Sequence, residues 1–121
     1  MSLSDREWEV LGTLWEAENG LTLGQAADAL RPYTGWSRNT VHTYLTRMAA
    51  KGLVTIVGEA PPHRYRAALD QDACRAQERR SFLQRVYQGS AGDLVAAFVR
   101  ENGLTPQERE ELRALLDEME V

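Results

Sequence analysis

The sequence predicts a mainly α-helical protein with one small β-hairpin. Capping residues followed by apolar residues at helical spacing recur along the chain, and this pattern predicts six helices. Between the third and the fourth helix, the β-branched run Leu53–Val57 is followed by the alternating run His63–Ala67, which predicts two paired strands. The expected order is therefore three helices, a hairpin and three further helices.

The first two helices are predicted from capping patterns. Ser4 and Glu7 have capping-box spacing, which predicts a helix over residues 5–18. Its expected core-facing stripe consists of Trp8, Val10, Leu11, Leu14 and Trp15. The same pattern begins at Thr22 and predicts a second helix, which we expect Pro32 to end because proline has no N–H to donate.

The third helix is predicted to have two chemically different faces. Ser37 is a suitable N-cap and Gly52 a suitable stop, so the helix should run to Lys51 at helix-turn-helix spacing from the second. Its apolar face carries Val41, Tyr44, Leu45 and Met48. Its other face carries Arg38, Asn39, His42, Thr43, Thr46 and Arg47, without a single acid.

Charge is distributed unevenly along the chain. The formal net charge is −4. The segment 37–66 nevertheless carries five basic residues and one acid, whereas the segment 71–121 carries seven arginines and ten acids. Because a ligand meets one surface and not the whole chain, the basic middle is the part suited to an anionic partner.

The third helix and the hairpin together predict a DNA-binding surface. An α-helix fills the major groove, where hydroxyl, amide, imidazole and guanidinium groups meet base edges and phosphates. We expect Arg38 and Asn39 near base edges or phosphates and Arg47 on the DNA backbone. The candidate DNA-binding residues are Ser37, Arg38, Asn39, Thr40, His42, Thr43, Thr46, Arg47, Arg64 and Arg66. The alternative is an ordinary exposed polar face.

The hairpin is predicted to be the wing of a winged helix-turn-helix. Arg64 and Arg66 alternate with Tyr65, so both arginines should share one face while Tyr65 packs inward. On that face they would lie along DNA phosphates, or else in solvent.

The chain is expected to divide into a winged-helix DNA-binding domain, residues 1–70, and a helical dimerisation region, residues 71–121. The second region carries more apolar surface than two short helices can bury alone, which favours a second copy as partner. The predicted dimerisation residues are Leu94, Val95, Phe98, Val99, Leu112, Leu115, Leu116 and Met119. The alternative is that this surface packs back onto the winged domain.

Composition excludes several other classes. Cys74 is the single cysteine and His42 and His63 the two histidines, so we expect no disulfide, metal or cofactor. Cys74 suits a small apolar filler, with a redox-sensing or intermolecular thiol as the alternative. No catalytic constellation is recognisable, which argues against an enzyme. A polar start without a signal peptide and the lack of a long apolar stretch predict a cytoplasmic protein without membrane insertion.

Several motifs together resemble a known family, the penicillinase and methicillin-resistance repressors (BlaI/MecI), which are related to the CopY copper repressors. The motifs are Glu7-Trp8-Glu9-Val10, Leu14-Trp15, Trp36-Ser37-Arg38-Asn39-Thr40-Val41, Leu45-Thr46-Arg47-Met48, Lys51-Gly52-Leu53-Val54, Phe82-Leu83-Gln84-Arg85-Val86-Tyr87-Gln88-Gly89, Leu94-Val95 with Phe98, and Leu104-Thr105 to Leu115. The resemblance spans nearly the whole chain. The copper-responsive relatives end in paired Cys-x-Cys motifs, which this chain lacks.

The resemblance implies a homodimeric repressor on inverted-repeat operators with TACA/TGTA-type half-sites. It also implies release by proteolysis, in which a membrane sensor metalloprotease triggers cleavage before the phenylalanine matched by Phe98. Here Ala97 stands where the antibiotic-responsive members have asparagine. Arg38, Asn39 and His42 replace a proline, a lysine and an arginine of the methicillin-type pattern, so the operator sequence is expected to differ.

A second function class remains open at the level of sequence. A winged-helix domain with an acidic, partly apolar tail also suits a protein–protein interaction module without DNA binding. Such a module would have no salt-dependent affinity for DNA.

Overall fold

The computed structural model describes residues 2–119, which form six α-helices and two β-strands. The order is α1 (Asp5–Trp15), α2 (Leu23–Thr34), α3 (Arg38–Ala50), β1 (Val54–Val57), β2 (Arg64–Ala67), α4 (Gln71–Tyr87), α5 (Ala91–Asn102) and α6 (Pro106–Glu118). The predicted fold class, mainly α with a winged helix-turn-helix and a helical region after it, is confirmed. None of the helices within the described part of the chain is both long and apolar enough to cross a membrane.

The chain divides into two compact units, and the division follows Ala76 inside α4. The predicted boundary at residue 70 precedes it by six residues, and the assignment of the two regions to DNA binding and dimerisation stays a prediction. Residues 1, 120 and 121 of the predicted regions lie outside the described residues.

The first unit is built around one hydrophobic core. Its buried residues are Val10, Leu11, Leu14, Ala26, Ala27, Leu30, Val41, Leu45, Met48, Leu53, Val54 and Tyr65. Ala26 and Ala27 are both 1% exposed, so α2 contributes only methyl groups to the core at these two positions. From the predicted stripe of α1, Trp8 and Trp15 are half-buried rather than buried. Trp15 instead donates from Nε1 to the carbonyl of Leu69 at 2.9 Å, which fastens α1 to the chain beyond the hairpin.

The helix starts follow the predicted caps, but the ends of α1 and α2 do not follow the prediction. Capping boxes are present at Ser4, Thr22 and Thr105. α1 ends at Trp15, three residues before the predicted end. The prediction that Pro32 ends α2 was wrong, because the helix continues through it to Thr34.

Local hydrogen bonds explain how α2 tolerates its proline. Because Pro32 has no backbone N–H, it cannot form the helical hydrogen bond to the Asp28 carbonyl. The final turn is closed by two others, from Thr34 Oγ1 to the Leu30 carbonyl at 3.0 Å and from the Gly35 N–H to the Arg31 carbonyl at 2.9 Å. Gly35 has φ 67°, the left-handed conformation that glycine adopts without strain, and therefore supplies the helix end.

The hairpin is antiparallel and is extended by a third piece of chain. β1 pairs with β2 so that Ile56 lies opposite Tyr65 and Val57 opposite Arg64. On the other edge of β2, Leu21 exchanges two backbone hydrogen bonds with Tyr65, at 3.0 and 2.7 Å. Tyr65 is buried and its neighbours Arg64 and Arg66 are exposed, which confirms the predicted alternation. The wing is thus anchored to the segment between α1 and α2.

One ion pair joins the start of α1 to the end of α3. Glu7 accepts from the Ser4 backbone N–H at 2.9 Å and from Lys51 Nζ at 3.0 Å. These donors, the Ser4 N–H first and Lys51 after it, lower the pKa of Glu7, although burial opposes them. The carboxylate therefore stays ionised while it is nearly enclosed.

The second unit shows no comparable core among its described residues. None of the residues of α4, α5 and α6 is buried. Phe98 is 55% exposed, Leu115 61% and Met119 66%. Apolar side chains of this size usually lie inside a folded unit, so these helices present apolar surface that their own unit leaves uncovered.

Glu7→Gln tests the contribution of the charged pair to stability. Glutamine retains the capping bond to Ser4 but loses the charge, so we expect the free energy of unfolding at pH 7 to fall by up to about 1 kcal/mol. Because the folded-state pKa of Glu7 is lowered, its contribution is present above the ordinary glutamate pKa, about 4.3, and is lost as the pH falls through the folded-state pKa. We therefore expect the free energies of unfolding of wild type and Glu7→Gln, measured with urea between pH 7 and pH 3, to approach each other as the pH falls below about 4.3.

Glu9→Gln is the matched control, because Glu9 pairs with Arg6 on the exposed side of the same helix. A stability difference between wild type and Glu7→Gln that stays constant down to pH 3 would contradict this account.

Gly20→Ala and Gly12→Ala should change stability in opposite directions. Gly20 is buried with φ 81°, and a Cβ there would lie 2.8 Å from the Tyr65 carbonyl oxygen. We expect Gly20→Ala to destabilise the protein by roughly 1–3 kcal/mol. A Cβ at Gly12, inside α1, meets nothing within 4 Å, so Gly12→Ala should stabilise by up to about 1 kcal/mol. Thermal unfolding distinguishes them, and equal melting temperatures would contradict the assignment of Gly20 as a close-approach glycine.

Candidate nucleic-acid interface

The polar face of α3 lies on the surface of the first unit. Ser37 caps the helix by accepting from the Thr40 N–H at 3.2 Å, as predicted. Thr40 is half-buried. The exposed residues of the predicted set on this element are Ser37, Arg38, Asn39, His42, Thr43, Thr46 and Arg47. The structure therefore brings these side chains to one continuous outward surface.

The opposite face of α3 holds the helix against the core. Val41 and Leu45 are fully buried and Met48 is 1% exposed. At the start of the helix, Trp36 stacks on Tyr44 with ring centroids 4.2 Å apart and ring planes 17° apart. The guanidinium of Arg6 lies 5.5 Å from the centroid of Trp36, on its face. The sequence reasoning did not include Trp36 among the residues that position the polar face, although its place directly before the N-cap was a usable signal.

Two threonine hydroxyls on the polar face are committed to the helix itself. Thr43 Oγ1 donates to the Asn39 carbonyl at 3.0 Å, and Thr46 Oγ1 donates to the His42 carbonyl at 2.8 Å. With the hydroxyl proton used in this way, each oxygen presents lone pairs outward. In this conformation the threonines suit contact with base amino groups or thymine methyl groups better than donation to phosphate.

Arg38 lies across the first turn of α2. A Cβ added at Gly24 would lie 2.6 Å from Nη2 of Arg38, so the missing side chain of Gly24 makes room for the guanidinium. Arg38 and Arg47 carry the positive charge of this face, and α3 contains no acid to neutralise them. Lys51, at the end of the helix, is engaged by Glu7. Sequence reasoning did not identify Gly24, because its role depends on a residue of another helix.

The hairpin places two arginines, Arg64 and Arg66, on its second strand, and Arg64 is hydrogen-bonded to the backbone of another segment. Arg66 and Arg64 are both exposed on the same face of β2. Arg64 donates from Nε to the Asn19 carbonyl at 3.1 Å and from Nη2 to the Gly20 carbonyl at 2.9 Å. At the tip, His63 Nδ1 lies 2.9 Å from the Gly58 carbonyl oxygen and closes the loop between the strands.

Cys74 and the acidic residues offer no alternative site within the described residues. No group of three or more His, Cys, Asp or Glu side chains in residues 2–119 is placed to hold a metal ion. Burial, and after it the Asp70 carboxylate, raise the pKa of the Cys74 thiol, which is thus protonated at neutral pH. This state suits an apolar filler better than a reactive thiolate.

The predicted dimerisation residues all lie on α5, on α6 or next to them. Leu94 and Leu112 are half-buried. The exposed members of the set are Val95, Phe98, Val99, Leu115, Leu116 and Met119. The bond between Ala97 and Phe98, predicted as a possible cleavage site, lies inside α5 with Ala97 half-buried.

Comparisons with known proteins agree with this arrangement. A family model described as penicillinase repressor matches residues 3–118. The methicillin resistance regulatory protein MecI of Mammaliicoccus sciuri is 26% identical over 115 residues, 95% of this chain and 93% of that protein. The penicillinase repressor of Bacillus licheniformis is 28% identical over 116 residues, 96% of this chain and 90% of that protein.

A solved structure extends the similarity to three dimensions. The solution structure of monomeric Bacillus licheniformis BlaI in complex with the blaP half-operator has a TM-score of 0.51 and 25% identity to this chain. The match covers 60% of this chain and 87% of that chain. The family model spans almost all of the described residues, which confirms the resemblance found in the sequence. The chain belongs to the penicillinase repressor family, whose members are transcriptional repressors and not enzymes.

Proposed function

We propose that this protein is a transcriptional repressor that binds double-stranded operator DNA as a homodimer. The observation that carries the proposal is the exposed, acid-free face of α3, which projects from a buried core beside a basic hairpin. Membership of a repressor family supports it. The structure of the relative BlaI with the blaP half-operator supports DNA as the ligand.

In this proposal α3 enters the major groove. Asn39 and Arg38, near the start of the helix, contact base edges or adjacent phosphates. Arg47 lies two turns further along and binds the sugar-phosphate backbone. The remaining members of the face, Ser37, Thr40, His42, Thr43 and Thr46, fill the groove around these contacts. Arg66 of the hairpin binds a flanking phosphate.

The uncovered apolar surface of α5 and α6 supports a homodimer. Side chains such as Phe98 and Leu115 are more than half exposed in the single chain. Their burial against a second copy would remove this surface from water. Two copies related by a two-fold axis present two α3 helices to the two halves of an inverted repeat, so occupancy of the operator blocks transcription.

Release by proteolysis is part of the proposal because the family resemblance implies it. Cleavage between Ala97 and Phe98, triggered by a membrane sensor metalloprotease, would separate Leu94 and Val95 from the rest of the apolar set. Since this bond lies inside α5, the helix must unwind locally before a protease can act on it. Operator binding also implies a cytoplasmic location, where the DNA is accessible.

The direct experiment is fluorescence anisotropy on duplex DNA from upstream of the protein's own gene, with a shuffled duplex as control. We expect tighter binding to the upstream duplex than to the shuffled one. Log K for this binding should fall linearly as the logarithm of the salt concentration rises. Equal affinity for both duplexes at every salt concentration would contradict sequence-specific repression. Absence of salt-dependent binding to any DNA would favour the protein-interaction module, which the negative net charge and the exposed apolar residues of α5 and α6 also suit.

Arg47→Ala and Asn39→Ala should affect DNA binding in different ways. Loss of a phosphate contact at Arg47 should weaken binding to all sequences and lower the salt slope by about 0.9. Loss of a base contact at Asn39 should reduce the binding free energy by roughly 1–3 kcal/mol for the preferred operator alone. It should leave the salt slope unchanged.

Arg31→Ala is the control for charge alone, because Arg31 pairs with Asp28 on the exposed side of α2. The anisotropy assay serves for all three variants. If Arg47→Ala and Asn39→Ala both bind as tightly and as selectively as wild type, α3 is not the reading helix.

Phe98→Glu tests the dimer without disturbing a buried core, since Phe98 is 55% exposed in the single chain. A carboxylate there should weaken self-association by at least about tenfold, because its burial in an apolar contact is unfavourable. Arg100→Glu places the same carboxylate on a polar, exposed position of α5 and serves as control. Sedimentation velocity over a concentration series measures both, and an unchanged dimer in Phe98→Glu would contradict the proposed interface.

A further inference from the structure

Arg64 is held by the backbone of a segment far away in sequence. Its Nε donates to the Asn19 carbonyl at 3.1 Å and its Nη2 to the Gly20 carbonyl at 2.9 Å. These carbonyls belong to the segment between α1 and α2, and they precede Arg64 by more than forty residues. The side chain thus joins the hairpin to the helical part of the first unit.

The neighbours of Arg64 on β2 contact the same segment. Tyr65 exchanges two backbone hydrogen bonds with Leu21. The aliphatic stem of Arg66 crosses Gly20, since a Cβ there would lie 2.6 Å from Cγ of Arg66. Three consecutive residues of β2 therefore dock onto the three residues 19–21. The stem that carries the Arg66 guanidinium is therefore part of the docked contact.

The chemistry of the contact is specific to arginine. Nε and Nη2 lie on one edge of the planar guanidinium and donate in parallel, which matches two neighbouring carbonyl groups. The same edge is one of those that would bind a phosphate in a bidentate manner, and here it is already occupied. A lysine at this position keeps the positive charge but cannot reproduce the paired donation along one edge.

We propose that Arg64 is a positioning residue, which docks the hairpin onto residues 19–21 and thereby orients Arg66 toward DNA, instead of acting as a phosphate contact itself. The inference rests on the proposed DNA-binding function and differs from the sequence prediction only in the role of Arg64. What matters at this position is the pair of backbone hydrogen bonds, whereas at Arg66 it is the charge.

The first test compares Arg64→Lys, Arg66→Gln and the double variant in the salt-dependent anisotropy assay. Arg66→Gln should weaken binding and lower the salt slope by about 0.9, the value for one phosphate. Arg64→Lys should weaken binding roughly fivefold to tenfold although the charge is kept. The double variant should bind like Arg66→Gln alone, because Arg64 acts through Arg66.

Two results would overturn the proposal. Wild-type affinity in Arg64→Lys would mean that charge suffices at residue 64, as expected for a phosphate contact. Additive losses in the double variant would mean that the two arginines act independently.

The second test needs no DNA and separates this inference from the proposed function. Amide hydrogen exchange, read by NMR in the free protein, reports the Leu21 and Tyr65 N–H groups that pair across the docked edge. Their protection should fall at least about threefold in Arg64→Lys and stay at the wild-type level in Arg66→Gln. Unchanged protection in Arg64→Lys would refute the docking role, whereas a wild-type protein that binds no DNA would instead refute the proposed function.

Discussion

The burial of one face of α3 is the interaction on which the rest of the structure depends. Val41, Leu45 and Met48 pack into the same core as α1, α2 and the hairpin, and this packing fixes the rotation of the helix about its axis. Because side chains on a helix project at fixed angles, the buried positions determine which residues face outward. The outward residues carry positive charge and hydrogen-bonding groups but no carboxylate. A net negative protein thereby offers a surface suited to DNA.

The two units differ in how far they bury their own apolar side chains. The first packs a set of apolar side chains into one buried core, and no buried side-chain N or O atom in the described residues lacks a hydrogen-bond partner. The second keeps Phe98, Leu115 and Met119 more than half exposed. A second copy would supply the missing contacts and also the second reading helix. In the proposed dimer, the contact between two copies would both bury this apolar surface and set the positions of the two reading helices.

Local features were predictable from the sequence, and contacts between distant residues were not. The caps at Ser4 and Thr22 depend on residues three apart, so capping-box spacing predicted them, and Ser37 was predicted from the preference of N-cap positions for serine. The outward face of α3 and the inward Tyr65 followed from helical and strand periodicity. The predicted end of α2 was wrong because hydrogen bonds from Thr34 and Gly35 close the turn that contains Pro32. The partners of Arg64 and the space at Gly24 lie on separate elements, and no local pattern encodes such contacts.

In the proposed dimer, a two-fold axis relates two α3 helices, which read the two halves of one operator. The most direct measurement is the affinity for the operator found upstream of the gene, compared with the same duplex after five base pairs are inserted between its half-sites. This insertion, about half a helical turn, moves one half-site to the opposite side of the DNA. We expect the insertion to lower the affinity by about tenfold or more, and two chains to bind the intact site. Equal affinity for both duplexes would show that the half-sites are read independently and would contradict the dimeric repressor.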